Sequence, residues 1–203
     1  TASRSNSMKK FVLIAVMLLT QACAFTDATL QVEHDDEANI TGPISEAGSI
    51  VFSAPQLEDA RLDKARIGWK KNGFGANTAD ITTEQPVDVI VENAILDAIK
   101  DNGHTVAENN QVRITGTVDR FWFDTDVNFW SIEFIGDIQC TLELFDSETN
   151  AAIYSASYSG TYKEKTAAGY VKTWTEVMGK AIDKLIEDIV FDEDLTDALA
   201  GYR

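Results

Sequence analysis

From Trp130 to Leu144 this chain alternates. Trp130, Ile132, Phe134, Gly136, Ile138, Cys140, Leu142 and Leu144 hold one parity, and Ser, Glu, Asp, Gln and Thr fill most of the other. A period of two sustained over that length fits an extended strand, whose successive side chains point to opposite faces. One face is therefore covered and the other wetter, which is how antiparallel sheets read. The flanking segments agree. Val112, Ile114, Gly116 and Val118 alternate with polar residues, Asp146 to Asn150 is turn-rich, and Ile153 to Tyr162 is again strand-like. Connectors this short predict an antiparallel meander of three long strands.

Two segments change period to supply the cover. After Pro86, a residue tolerated where a helix opens, Val87, Ile90, Val91, Ala94, Ile95, Ala98 and Ile99 recur at spacings of three and four, and Asn102-Gly103 ends the run with a left-handed cap. Val171, Trp174, Val177, Met178, Ala181, Ile182, Leu185, Ile186 and Ile189 define a second amphipathic helix. Ile50-Val51-Phe52 and Ala65 to Trp69 read as short strands, Asn72 to Gly75 as a turn, and Thr105-Val106 as a further short strand. The predicted order is β-β-α-β-β-β-α: an α+β two-layer sandwich with two helices packed on one face of a mainly antiparallel sheet.

The N-terminus reads as an export signal. Thr1–Ser7 is taken as a remnant upstream of Met8. Residues 8–22 then carry a basic pair (Lys9, Lys10), the apolar run Phe11–Leu19 and a small residue, Ala22, before Cys23. A bilayer span takes roughly 20 apolar residues, so this run starts export and is removed. Ala22-Cys23-Ala24 fits cleavage after Ala24, releasing a soluble protein. Leu19-Thr20-Gln21-Ala22-Cys23 resembles a lipobox, with Thr20 where leucine is preferred, and implies acylation of Cys23. We expect lipidation, the acyl chains holding the protein at a bilayer by burying methylenes at roughly 0.8 kcal/mol each. Ala24 after the Cys implies outer-membrane sorting, on the periplasmic face. Residues 23–48, polar and acidic around Asp35-Asp36-Glu37, read as the lipidated Cys and a flexible tether, and 49–203 as one domain.

Acidic residues outnumber basic ones 33 to 17, giving a net charge of −16. That balance argues against nucleic acid as a partner, since phosphates require Lys and Arg stripes, and against charge-driven docking on anionic headgroups. With Cys23 acylated, Cys140 stands alone on an apolar face and reads as a small buried hydrophobe; without lipidation a Cys23–Cys140 bridge is open.

No catalytic constellation emerges. Asp124-x-Asp126-x-Asn128 opens like a calcium loop, but Phe129 and Ile135 stand where Gly and Glu are required, so a hairpin turn is expected there. His34 beside three acids lacks a second ligand at metal spacing and reads as solvated linker. His104 has no activated Ser to serve and reads as a surface or edge residue. Asn72 to Gly75, after Lys70-Lys71, looks phosphate-friendly but lacks the ending of a phosphate loop. No cofactor or metal is implied, and the expectation is a non-enzyme. Phe121, Trp122, Phe123, Phe129, Trp130 and Phe134 form the one functional lead. Three consecutive aromatics place rings on both sheet faces, and helices on one face cannot cover them all, which marks a partner or ligand surface. Tyr154, Tyr158 and Tyr162 share one face of the next strand.

Asp59-Ala60-Arg61-x-x-Lys64-Ala65-Arg66-Ile67-Gly68, Asn72-Gly73-Phe74-Gly75, Leu96-Asp97-Ala98-Ile99, Gly116-Thr117-Val118-Asp119 and Tyr158-x-Gly160, behind a signal ending in Cys23, resemble the YajG-type family of bacterial lipoproteins. The resemblance spans residues 50 to 190. It implies an envelope location and this fold, and supplies no catalytic residues. The expected function is a membrane-anchored, non-enzymatic interaction or accessory module of an envelope complex, with a protein partner or self-association. The alternative is a small-ligand or lipid-binding periplasmic carrier.

Overall fold

Alternation on this scale needs pairing partners of matching length, and the fold supplies them. The structure is a computed structural model and describes residues 26–34, 39–127, 131–166 and 171–201. In chain order these form β1 (Ala28–Leu30), a 3-10 helix (Pro43–Ala47), β2 (Val51–Phe52), β3 (Gln56–Asp59), β4 (Gly68–Lys71), β5 (Asn77–Thr83), α1 (Val87–Asp101), β6 (Thr105–Val106), β7 (Val112–Val127), β8 (Ile132–Asp146), β9 (Ala152–Thr166), α2 (Val171–Val190) and α3 (Glu193–Ala200). β7, β8 and β9 make the expected antiparallel meander, in register from Val112↔Asp146 to Val127↔Ile132 and from Ile132↔Thr166 to Phe145↔Ala152. Phe134, Ile138, Cys140, Leu142 and Leu144 all face the core.

The other edge of β7 receives β2, β3 and β4 in turn, each parallel to it: Phe52 opposite Val112, Gln56–Asp59 opposite Thr115–Val118, and Gly68 opposite Phe123. β5 pairs antiparallel with β4 and parallel with β1, and β6 runs parallel to β2. The sheet is therefore mixed and open, with its long ladders antiparallel, and the α+β architecture is as expected. α3 is an addition; Asp192 caps it by accepting from the backbone N–H groups of Asp194 and Leu195.

The helices form for the reasons their spacing gives. α1 buries all seven of the apolar residues noted from its periodicity. It ends in a Schellman arrangement, Gly103 N donating to Lys100 O and His104 N to Ile99 O, with Gly103 at φ 82°. α2 buries Val177, Met178, Ala181, Ile182, Leu185, Ile186 and Ile189. It lies close on β8 and β9 because glycines stand beneath it: a Cβ on Gly160 would sit 2.1 Å from Ala181 O, and one on Gly136 2.9 Å from Ala181 Cβ.

The expected tether, residues 23–48, is corrected over its described part. Ala28, Leu30 and Val32 alternate into the core, and Ile44 and Ala47 are buried as well. Three polar side chains pin this stretch. His34 Nδ1 lies 3.0 Å from Asp183 Oδ1 on α2. Asn102 accepts from Gly42 N and donates to Ile40 O. His104 Nε2 lies 3.1 Å from Ile44 O. Apolar burial and these bonds offset the ordering cost that a solvated tether never meets. His34 is thus no solvated linker residue, and His104 no surface residue: it is buried and meets Phe52 edge-on at 5.3 Å. Cys23 lies outside the described residues.

A candidate binding cleft

A register shift in β7 decides where the aromatic cluster points. The ladder to β8 slips between Val118 and Arg120, so the inward parity changes from Val112, Ile114 and Val118 to Phe121, Phe123 and Thr125. Phe121 and Phe123 are fully buried core residues, which corrects their reading as part of a partner or ligand surface; Phe134, 2% exposed, is buried beside them but lines the cleft described below. Trp122 faces the other way and is half-buried, edge-on to Trp69 at 5.0 Å. Phe129 and Trp130 lie outside the described residues, as does Asn128. Asp124 and Asp126 belong to β7 and not to a turn, and Lys71 Nζ holds Asp124 Oδ1 at 2.6 Å and Thr125 O at 2.8 Å.

What the cluster builds is the wall of a cleft. Phe123 packs against Phe134 and Trp174, both with ring centroids 5.6 Å away, and Phe134 meets Trp174 at 6.1 Å. Phe134 and Trp174 then line a cleft of ≈ 260 Å³ together with Val127, Ile132, Thr78, Thr125 and the β4–β5 turn at Asn72 and Gly73. Lys70 and Lys71 border it. Lys70 Nζ stands 6.0 Å from the Trp174 ring and donates to Thr26 O at 2.6 Å. Trp174 Nε1 is buried without an acceptor among the described residues. Trp174 was not singled out as a site residue from the sequence, and Lys70 and Lys71 entered only with the rejected phosphate loop. The signal available was an indole at the rim of an otherwise aliphatic helix face.

The remaining perturbed groups are structural. Burial, aided by Asp119 and Asp188, pushes the Cys140 thiol up to about 12, so it is the inert hydrophobe expected. Burial holds the His104 imidazole below its usual range, against the favourable pull of backbone carbonyls. Tyr154 and Tyr158 both donate to Asp192 Oδ2 at 2.8 Å. Burial and then that carboxylate raise both phenols, Tyr154 to about 12. Burial alone would raise Asp192, but the two phenols and the α3 backbone outweigh it and hold the carboxyl below the usual range.

The motif around Arg61 is likewise a clamp. Its guanidinium is bidentate to Asp59 at 2.9 Å on both oxygens and reaches Arg66 O at 2.9 Å and Phe121 O at 3.4 Å, fastening the β3–β4 loop to β7 just after its bulge. Asp59 sits below its usual range because these contacts exceed the burial penalty. Among the described residues no three His, Cys, Asp or Glu side chains converge on a metal site, and no helix is long and apolar enough to cross a membrane.

An open, mixed sheet with helices packed on it and a largely apolar cleft at one end defines the class as a small α+β domain. The chain belongs to a family described as uncharacterized lipoprotein, whose model matches residues 54–200, as the YajG-type resemblance implied. A protein from Xanthomonas campestris shares the fold at 14% identity and TM-score 0.53, over 87% of this chain and 98% of that one. A minor lipoprotein from Acinetobacter baumannii aligns at 12% identity and TM-score 0.39, over 76% and 92%. A PelC dodecamer from Paraburkholderia phytofirmans aligns at 16% and 0.35, over 68% and 89%. No curated protein matches the chain.

Proposed function

We propose that this lipoprotein is anchored through acylated Cys23 at the periplasmic face of the outer membrane, where its domain works as a non-enzymatic interaction or accessory module of an envelope complex. The observation that carries this reading is a cysteine at the end of a short apolar run, Phe11–Leu19, in a chain of a lipoprotein family. Support for a non-catalytic role comes from the perturbed groups. Cys140, His104, Tyr158 and Asp192 are each committed to the core or to a helix cap. None of them lines the cleft, whose described lining has no paired acid and base of the kind proton transfer requires.

With Ala24 after the cysteine, the natural chain partitions with outer-membrane fractions. Cys23→Ser moves it to the soluble periplasmic fraction or leaves it as an unprocessed precursor. Equal recovery of parent and Cys23→Ser in the outer-membrane fraction would overturn the anchor, and inner-membrane recovery of the processed parent would overturn the sorting.

A further inference from the structure

We propose that the cleft between β4, β7, β8 and the first turn of α2 binds one molecule of an anionic amphiphile, an acid headgroup on a single short apolar tail. Charge is the first reason. Acids outnumber bases 33 to 17 along the chain, yet the described lining holds two lysines and no carboxylate. Lys71 is neutralised by Asp124, whereas Lys70 has no ion-pair partner among the described residues. One net positive charge therefore stands at the mouth of an apolar recess, the arrangement that favours an anion with a hydrocarbon attached.

The lining chemistry is the second reason. Val127, Ile132, Phe134 and the carbon face of the Trp174 ring offer apolar contact to a tail. Trp174 Nε1 has no acceptor among the described residues, and a buried donor left unpaired is costly. A small turn of the indole towards the cleft lets a carboxylate or phosphate oxygen accept from it beside the Lys70 ammonium. Size sets the class. At ≈ 260 Å³ the cleft lies just below the usual range of ligand pockets, roughly 300–1,000 Å³, so it suits one short tail rather than a two-chain lipid.

The test titrates the full chain carrying Cys23→Ser, which needs no detergent, with decanoate below its micelle concentration, read by calorimetry and native mass spectrometry. Decanol, decyltrimethylammonium and acetate each change one property, and phosphatidylglycerol vesicles present the same charge on a membrane. The expected result is one decanoate per chain. Decanol binds about ten-fold more weakly, as does decanoate to Lys70→Gln or Trp174→Phe, since each loses one charge-assisted bond; the cationic amphiphile and acetate do not saturate. Thermal melts check that both variants are folded, and Lys70→Gln, which removes a half-exposed side chain, stands alone should Trp174→Phe unfold. The proposal is overturned by absent saturation with decanoate, by equal binding of the cationic amphiphile, or by unchanged affinity in Lys70→Gln. Binding to vesicles without binding of monomeric decanoate also overturns it, and makes this end of the domain a membrane contact.

Discussion

Gly160→Ala adds a single methyl group at the place where the fold has least room for one. Gly160 pairs with Ile138 in the sheet and lies directly beneath α2. A Cβ there would sit 2.1 Å from Ala181 O, 2.4 Å from Leu185 N and 2.9 Å from Leu185 Cα, where ordinary contact begins at 3.4 Å. Helix and strand must part by more than about 1 Å, and since all three atoms are backbone no rotamer change relieves the clash. Parting them loosens Ala181, Ile182, Leu185 and Ile186, each fully buried. Overpacking a core costs about 1–3 kcal/mol. Backbone resistance on two sides sets this case at the upper end, about 3 kcal/mol, beyond the few tenths that alanine gains over glycine in an unstrained site. For a chain of this length each kcal/mol moves the melting midpoint by roughly 2–4 °C, so the midpoint falls by about 6–12 °C. The assay is a thermal and urea denaturation series with Gly73→Ala as control, because a Cβ at Gly73 meets nothing within 4 Å. The control should stay within about 0.5 kcal/mol of the parent. A Gly160→Ala protein as stable as the parent refutes the close seating of α2 on β9.

The Arg61 clamp predicts that Arg61→Ala lowers stability by about 3 kcal/mol, because Asp59 is left part-buried without its cation. Arg61→Lys recovers less than half of that, since an ammonium cannot span both Asp59 oxygens together with Arg66 O; urea midpoints decide, and full rescue by lysine would refute the bidentate role. For Asp192 the folded carboxyl titrates below its unfolded value, so its stabilising contribution is present above the unfolded range near pH 4 and is lost as pH falls through the folded value. Asp192→Asn keeps an acceptor for the α3 cap but loses the charge that holds Tyr154 and Tyr158. It should cost about 1 kcal/mol at pH 7, with the gap to the parent closing towards pH 3. A gap independent of pH would place the shift elsewhere.

Legibility in the sequence followed how local the determining physics was. The alternation from Ile132 to Leu144 and the spacing in α1 and α2 are properties of one element, and each was readable to within a turn or a residue pair. The β7 bulge was not, because one unpaired residue near Asp119 reverses the parity of everything after it, and only the partner strand β8 fixes where it falls. That single slip converts Phe121 and Phe123 from a surface into core. The short parallel strands β1 and β3 have too few residues for a period to show, and their partners β5 and β7 lie far along the chain. In residues 26–34 a signal was present: Ala28, Leu30 and Val32 alternate, obscured by acidic neighbours that suggested a tether. The cleft depends on Lys70 and Trp174 meeting across more than a hundred residues, and no local pattern encodes that meeting.

Membrane anchoring turns on the chemical state of one sulfur atom, that of Cys23, and intact-mass measurement of the natural protein reads it. A chain whose first residue is Cys23, heavier than its peptide by acyl and glyceryl groups, is the predicted result. A bare Cys23 thiol, or a product starting at Phe25, contradicts the anchor.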